Sequence, residues 1–263
     1  MNRWQCRWPV VLVFCLMFWG CSGNQGLRHR PASPPPAQTG SIRPPLPEIS
    51  DWGWRERLVT EDELNQLELA DPNLNPSATH RILARLNGKA DYYIYEDIRK
   101  SRPLRVPNDF RAYSGWTPLP RQTDHLAHLS KAILVVKDFP FIGWYEHGKL
   151  AGDSLVSLGR PGEETEAGVY QILDKAADKY SLSYRNDFGE PAWMPWAMRI
   201  YGTVWIHAGD IAGPYCSHGC VMLPMDPAEH LFHWSDDKTV VVIVDSLAHL
   251  NQPPKVKVKS ARK

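Results

Sequence analysis

The second half of the sequence is a series of short, strand-like segments separated by turns, and this pattern limits the possible fold more than any other feature. Apolar and β-branched residues cluster in six segments: 133–136, 141–145, 150–157, 169–173, 201–206 and 240–244. Only one short helix is expected there, with Asp226 as its N-cap and Pro227 in its first turn. We therefore predict a mostly β domain, a mixed β-sandwich or barrel-like fold with a few short helices.

Residues 52–130 form a small region with mixed signals. Thr60 to Glu63 fits a capping box that opens a short helix, and Ser77 is expected to cap a second helix that stops at Gly88. No catalytic or binding role is assigned to this region. Its aromatic residues are interpreted as packing surface: Tyr92, Tyr93, Tyr95 and those of 110–120.

The first residues indicate export. Two arginines precede an apolar run, 8–19, that is shorter than the roughly 20 residues needed to span a bilayer. The segment 1–20 ends before Cys21 and resembles a bacterial lipoprotein signal, which implies cleavage before Cys21 and lipid attachment to its sulfur. Ser22 at the next position resembles lipoproteins sorted to an outer membrane. An ordinary secretory signal remains the alternative.

Composition narrows the organisation and the partners further. Seven prolines lie in the 21–51 segment, which is predicted to be an extended linker. The 30 Lys and Arg nearly balance the 29 Asp and Glu, so no nucleic-acid partner is expected. The folded domain is placed at 131–246. The basic tail 247–263 is either solvated or attracted to an anionic envelope polymer.

The residues that can carry chemistry are concentrated in two short segments, 206–209 and 214–220. A thiol at Cys220 stands beside Gly219, with histidines at positions 207 and 218. An imidazole can accept a thiol proton, and a glycine lets backbone N–H groups approach a developing oxyanion. This combination indicates a cysteine nucleophile.

Two other interpretations compete at this point. Zinc could be bound by a set of four side chains: His207, Cys216, His218 and Cys220. Export removes Cys6 and Cys15 and lipidation would occupy Cys21, so a disulfide between the two remaining thiols is also possible if the chain turns between them.

The region from about 131 to 244 resembles the L,D-transpeptidase catalytic domain, also called YkuD. The family pattern is a histidine on a strand followed by Ser/Thr-His-Gly-Cys, and these positions fall on His207 and on 217–220. Supporting matches occur in the expected order: Gly148-Lys149-Leu150, the 159–162 loop with Thr165 and Gly168, and Met194-Pro195-Trp196.

The resemblance implies a role for each site residue. Cys220 would be the nucleophile, His207 the general base, and the carbonyl of Ala208 would orient the imidazole. The N–H groups of 218–220 would form the oxyanion hole. Further residues of the implied site are the loop residues Ser217, His218 and Gly219 and the substrate-binding candidates Arg199, Trp196 and Tyr215.

The implied reaction is attack on peptidoglycan tetrapeptide stems, with release of D-alanine through a thioester and formation of a cross-link. No cofactor and no metal would be needed. Together with the lipoprotein-like signal, the resemblance predicts a monomeric periplasmic enzyme, held to the outer membrane by lipid on Cys21, whose partners are peptidoglycan stem peptides. Met222 and Glu166 depart from the family pattern. An L,D-carboxypeptidase or amidase-like hydrolase on the same fold, or a catalytically silent wall-binding lipoprotein, are the alternatives.

Overall fold

The computed structural model describes residues 53–186 and 188–251. The predicted signal peptide, Cys21, the proline-rich linker and most of the basic tail lie outside these residues. Within them the chain is mostly β with four α-helices, which confirms the predicted fold class. No helix in this described part has the length and apolar composition needed to cross a membrane.

The small N-terminal region contains three of the helices and one two-stranded antiparallel sheet, in the order β1 (Trp54–Arg57), α1 (Glu61–Ala70), α2 (Pro76–Asn87), α3 (Asp91–Arg99) and β2 (Leu104–Pro107). The predicted start of α1 is confirmed, because the Thr60 hydroxyl accepts the N–H of Glu63. The predicted end of α2 is also confirmed. Gly88 adopts φ +61° there, a conformation that glycine enters without steric cost.

Two details of these helices differ from the prediction. Asn75, rather than Ser77, caps α2, since its side chain accepts the N–H of Ala78 and Pro76 fits the first turn. Helix α3 was not predicted. It begins after Ala90 with no side-chain cap, so the sequence carries no start signal for it.

The larger part of the fold contains three sheets and one helix. Its elements are β3 (Lys131–Val136), β4 (Phe141–Glu146), β5 (Lys149–Leu155), β6 (Leu158–Gly159), β7 (Gly168–Gln171), β8 (Asp174–Arg185), β9 (Pro191–Tyr201), β10 (Val204–Ala208), β11 (Tyr215–Ser217), β12 (Val221–Leu223), α4 (Met225–Trp234) and β13 (Val240–Val244). The sheets have the orders β5-β4-β3-β13-β7, β12-β10-β9-β8 and β11-β6. The pairs β3–β13, β10–β12 and β6–β11 are parallel, and the other pairs are antiparallel.

The strand and helix boundaries of this part also include corrections. The predicted strand 201–206 is divided by a turn, because β9 ends at Tyr201 and β10 begins at Val204. Helix α4 has Pro224 at its N-cap and no side-chain cap, and Asp226 lies in its first turn instead. Strand β8 was missed, since its largely polar and exposed residues give no buried apolar pattern.

The five-stranded sheet is buried on both faces and divides the core into two layers. On β3, the side chains of Ala132, Leu134 and Val136 join a cluster with the N-terminal helices. The alternate residues Ile133 and Val135 pack instead with the four-stranded sheet and α4. This alternation follows the two-residue period of a strand. The N-terminal region and the larger part therefore share one hydrophobic layer.

Leu83 tests the contribution of this shared layer. Its side chain on α2 is fully buried in the cluster, so we expect Leu83→Ala to lower the free energy of unfolding by about 2–5 kcal/mol. Urea denaturation followed by circular dichroism measures the change. Leu69→Ala is the matched control, because Leu69 on α1 is 78% exposed. Equal effects of the two variants would contradict the assignment.

Candidate active site

The parallel pairing of β10 with β12 places the predicted nucleophile and base on one face of the four-stranded sheet. The register joins Ile206 to Val221 and His207 to Met222. Cys220 directly precedes β12, so its side chain projects to the same side as that of His207. With strands about 4.8 Å apart and two residues spanning about 6.7 Å, the two Cα atoms are separated by about 8 Å.

The opposite face of the same strands is core. The side chains of Ile206, Ala208, Val221 and Leu223 pack with α4 in the second hydrophobic layer. Alternation along the strands therefore separates packing residues from residues available for chemistry.

His207 is held in one tautomer. Its Nδ1 lies 2.6 Å from the carbonyl oxygen of Ala208, which can only accept a hydrogen bond, so Nδ1 carries the proton. In the neutral ring, Nε2 is then unprotonated and can act as a base. The residue is only 6% exposed. Burial lowers the pKa of His207 to about 4, although the hydrogen bond to Ala208 favours the charged form.

The Cys220 thiol is also in apolar surroundings. It packs against a small cluster formed by Met194, Ala197 and Trp205. Burial raises the pKa of this thiol, and a hydrogen bond with the Trp205 backbone opposes the shift. Burial disfavours the charged form of each group, which favours a neutral thiol and a neutral imidazole at neutral pH over a thiolate with an imidazolium.

The loop that carries the thiol is closed by Ser217. The Ser217 hydroxyl donates to the carbonyl oxygen of Cys220 at 2.6 Å, and the Gly219 N–H donates to the Ser217 oxygen at 3.2 Å. Gly219 has φ +102°, which favours glycine at this position. Because the Gly219 N–H is used inside the loop, the N–H groups of His218 and Cys220 remain as candidates for an oxyanion hole.

Thr165 stabilises this loop through two hydrogen bonds of its hydroxyl. Its buried hydroxyl donates to the carbonyl oxygen of Gly219 at 2.9 Å and accepts the N–H of Gly159 at 3.0 Å. A Cβ at Gly159 would lie 1.9 Å from the carbonyl oxygen of Glu163. Thr165 and Gly159 are two of the supporting matches from the sequence, and the structure places both beside the candidate nucleophile loop.

The three substrate-binding candidates lie in different environments. Arg199 is paired across β9 and β10 with Trp205, beside the face that carries the site. The ring of Trp196 packs against Phe232 and His233 of α4, with centroids 5.4 and 5.2 Å away. The Tyr215 hydroxyl donates to the carbonyl oxygen of Lys137 at 2.6 Å. Arg199 is thus paired with the residue, Trp205, against which Cys220 packs.

His218 is exposed and contacts a residue that sequence reasoning missed. Its ring stacks on Tyr184 of β8, with centroids 4.0 Å apart and an interplanar angle of 24°. Its Nε2 also lies 4.0 Å from a carboxylate oxygen of Glu163. The β8–β9 hairpin therefore reaches over the 217–220 loop, a long-range contact for which the sequence holds no local signal.

The zinc and disulfide interpretations find no support in this geometry. Cys216 and Cys220 are both free thiols, and the sulfur of Cys216 lies 2.9 Å from the hydroxyl of Ser157. Across 53–186 and 188–251, no group of three or more His, Cys, Asp and Glu side chains is arranged to hold a metal ion.

The neutral state of the pair predicts the pH dependence of Cys220 alkylation. Iodoacetamide reacts with thiolates, so the alkylation rate of native Cys220 should keep rising with pH beyond about 8.5, the ordinary thiol pKa. Mass spectrometry of the Cys220 peptide from the native full chain measures the rate. The same peptide alkylated in denaturant is the control. A rate that levels off between pH 6 and 7 would instead indicate a preformed ion pair.

Comparison with known proteins finds a family match for this part of the chain. The sequence profile of YkuD, the L,D-transpeptidase catalytic domain, matches residues 130–243. A search of curated proteins found no match.

Several solved L,D-transpeptidases are similar to 44% of this chain. The protein from Mycobacterium smegmatis has 16% identity over 58% of its own length, with a TM-score of 0.40. The Enterococcus faecium protein has 25% identity over 50% of its length, with a TM-score of 0.39. L,D-transpeptidase 3 from Mycobacterium tuberculosis has 20% identity over 61% of its length, with a TM-score of 0.40.

This chain therefore spans between half and two thirds of the length of these solved proteins. The family match and the site geometry fall on the same strands, β10 and β12, and on the loop between them. The family that this chain matches, over residues 130–243, is YkuD, the L,D-transpeptidase catalytic domain.

Proposed function

We propose that this protein is a cysteine-dependent L,D-transpeptidase that acts on peptidoglycan tetrapeptide stems. The observation that carries the proposal is the placement of Cys220 and His207 on one face of the β10–β12 pair, with Nε2 of His207 unprotonated. A thiol and a neutral imidazole in this arrangement are suited to acyl transfer.

In the first step, the Cys220 sulfur attacks the carbonyl carbon of the bond between the third stem residue, usually diaminopimelate, and D-alanine. Nε2 of His207 accepts the thiol proton as the C–S bond forms. The C–N bond then breaks, and the imidazolium returns this proton to the D-alanine amine. The product is a thioester with released D-alanine.

In the second step, the side-chain amine of another stem attacks the thioester carbon. His207 accepts a proton from this amine and returns it to the departing sulfur, which regenerates the thiol and completes the cross-link. Attack by water at the same stage would give carboxypeptidase activity instead. The same base therefore serves both outcomes.

The oxyanion formed in each step needs hydrogen-bond donors. We assign this role to the N–H groups of His218 and Cys220, because the Gly219 N–H already donates to Ser217. Ser217 and Thr165 act as positioning residues, since their hydroxyls fix the carbonyl groups of Cys220 and Gly219. The conformation of the 217–220 loop is therefore set before substrate binds.

Burial of the pair determines how the thiol becomes reactive. With the His207 pKa near 4 and that of Cys220 raised, neither group is charged before the reaction. We infer that proton transfer accompanies attack on the substrate. The imidazole remains available as a base at any pH well above about 4.

Met222 is the departure most relevant to specificity. It is the β12 residue paired with His207, and a Cβ at Gly209 would lie 2.9 Å from its sulfur. An apolar side chain therefore covers the backbone beside the base, where the family usually has Arg or Asn. We infer that the acceptor stem makes fewer polar contacts at this side.

The proposed location of the protein in the cell rests on the sequence of residues 1–21. We propose that the protein is exported to the periplasm and held at the outer membrane by lipid on Cys21. Labelling of cells with a tagged fatty acid tests this. Label should appear on the wild-type chain and disappear in Cys21→Ser, and equal labelling of both would contradict it.

Turnover of defined tetrapeptide muropeptides tests the proposed activity. Cys220→Ser should abolish D-alanine release, and His207→Gln should lower kcat by about 10²–10⁴-fold because the general base is lost. His249→Gln is the matched control, since His249 is exposed and lies in the short C-terminal turn Leu247–Asn251. Liquid chromatography with mass spectrometry measures dimers and free D-alanine.

The products decide between the alternatives. Dimers together with D-alanine support transpeptidation, whereas D-alanine without dimers indicates the hydrolase. Absence of turnover, together with absence of a carbapenem adduct on Cys220, would overturn the enzymatic proposal and favour a wall-binding protein.

A further inference from the structure

The segment between the base and the nucleophile, residues 209–216, is held in place in part by contacts that come from the N-terminal region. Ile211 is fully buried in the hydrophobic layer formed with the N-terminal helices. Its carbonyl oxygen accepts the N–H of Ala90 at 2.9 Å, just before α3 begins. A Cβ at Gly88 would also lie 3.5 Å from Pro214. The helix connection 88–90 therefore packs directly on this segment.

Asp210 makes the most specific of these contacts. Each of its carboxylate oxygens accepts one phenolic O–H from α3: Tyr92 donates to Oδ1, and Tyr93 donates to Oδ2 at 2.7 Å. The two rings lie 4.2 Å apart. The pKa of Tyr92 is raised by burial and by Asp210, and that of Tyr93 chiefly by its hydrogen bond to Asp210, so both phenols remain protonated donors.

The same segment is connected at both ends to the catalytic residues. At its start, the Gly209 N–H donates to the carbonyl oxygen of Leu223 in β12, directly after the His207–Ala208 pair. At its end, the N–H of Cys216 donates to the hydroxyl of Ser157, and its sulfur lies 3.5 Å from the carbonyl oxygen of Gly213. Because the backbone continues into Ala208 on one side and into Ser217 on the other, the segment connects residue 210 to both His207 and the 217–220 loop.

The arrangement is more specific than ordinary surface packing. The Tyr92 side chain is 56% exposed, so core packing alone does not fix its ring, which is oriented by the hydrogen bond to Asp210 and by the adjacent Tyr93 ring. Two adjacent phenols that each take a different oxygen of one carboxylate fix both the position and the rotation of that side chain. Tyr95, on the same helix and equally exposed at 57%, faces His80 instead.

We propose that Tyr92, Tyr93 and Asp210 form a clamp through which the N-terminal region positions the 209–216 segment, and with it the base and the nucleophile, for catalysis. The three residues are positioning residues and do not touch the reacting atoms. The proposal rests on the proposed function, because it assigns the N-terminal region a part in that reaction.

The clamp is tested with Tyr92→Phe/Tyr93→Phe in the full chain, with Tyr95→Phe as the matched control. Loss of both donors should lower kcat for the tetrapeptide substrate by about tenfold with little change in KM, since a small misplacement of catalytic groups is costly. The thermal unfolding temperature should stay close to that of the wild type. Tyr95→Phe should match the wild type in every measurement.

A double-mutant cycle with Asp210→Asn tests whether the effect on kcat comes from the hydrogen bonds between Asp210 and the two tyrosines. The triple variant should lose no more kcat than the double tyrosine variant, because both changes remove the same interaction. Hydrogen exchange of the 209–216 amides and alkylation of Cys220 should both become faster in each variant, since the segment that leads into the 217–220 loop is held less firmly. Additive losses of kcat would overturn the clamp.

The outcomes separate this proposal from the proposed function. If the wild type turns over muropeptides and the tyrosine variant keeps its kcat, alkylation rate and exchange rates, the clamp is wrong and the enzyme assignment stands. If the wild type shows no turnover, the proposed function is wrong. In that case, unchanged hydrogen-exchange rates of the 209–216 amides and an unchanged alkylation rate of Cys220 in the variants would reject the clamp as well. Should the double tyrosine variant unfold, Asp210→Asn alone provides the same readouts.

Discussion

The site depends on the parallel hydrogen bonding between β10 and β12. This pairing brings together two segments separated by a loop and sets their register, with His207 beside Met222. Since side chains alternate between the two faces of a strand, the register sends Ile206 and Val221 into the core and His207 and Cys220 to the other side. A shift of one residue in either strand would bury one reactive group and expose apolar residues to water.

Burial is the second constraint, and it determines the chemical state of the pair. His207 is nearly inaccessible, and Cys220 packs against a small apolar cluster. Both environments disfavour charge, so the proposed mechanism needs proton transfer during attack rather than a stored thiolate. The fixed tautomer of His207, set by the Ala208 carbonyl, makes such a transfer possible without rotation of the ring.

The N-terminal region has a closer relation to the site than its sequence suggests. Its helices share a hydrophobic layer with the five-stranded sheet, and the 88–93 segment contacts the loop between the base and the nucleophile. In the proposed clamp, a carboxylate three residues after His207 is held by two phenols from α3. The function of this region would then be to keep the loop in a reactive geometry.

The strands around β3 and β4, the start of α1, the end of α2 and the mostly β class could be predicted from the sequence, because apolar periodicity, caps and glycines are local signals. The motif also identified His207 and Cys220 as candidate catalytic residues through its resemblance to a family. The sequence could not predict α3, which has no side-chain cap, or β8, whose residues are largely polar and exposed. It could not predict the stacking of Tyr184 on His218 or the contacts of Asp210 either, because these depend on residues far apart in the chain. The sequence by itself determined which chemical groups are available. Only the tertiary structure decided their neighbours, their burial and hence their charge, since hydrogen-bond partners and access to water are set by packing between distant segments.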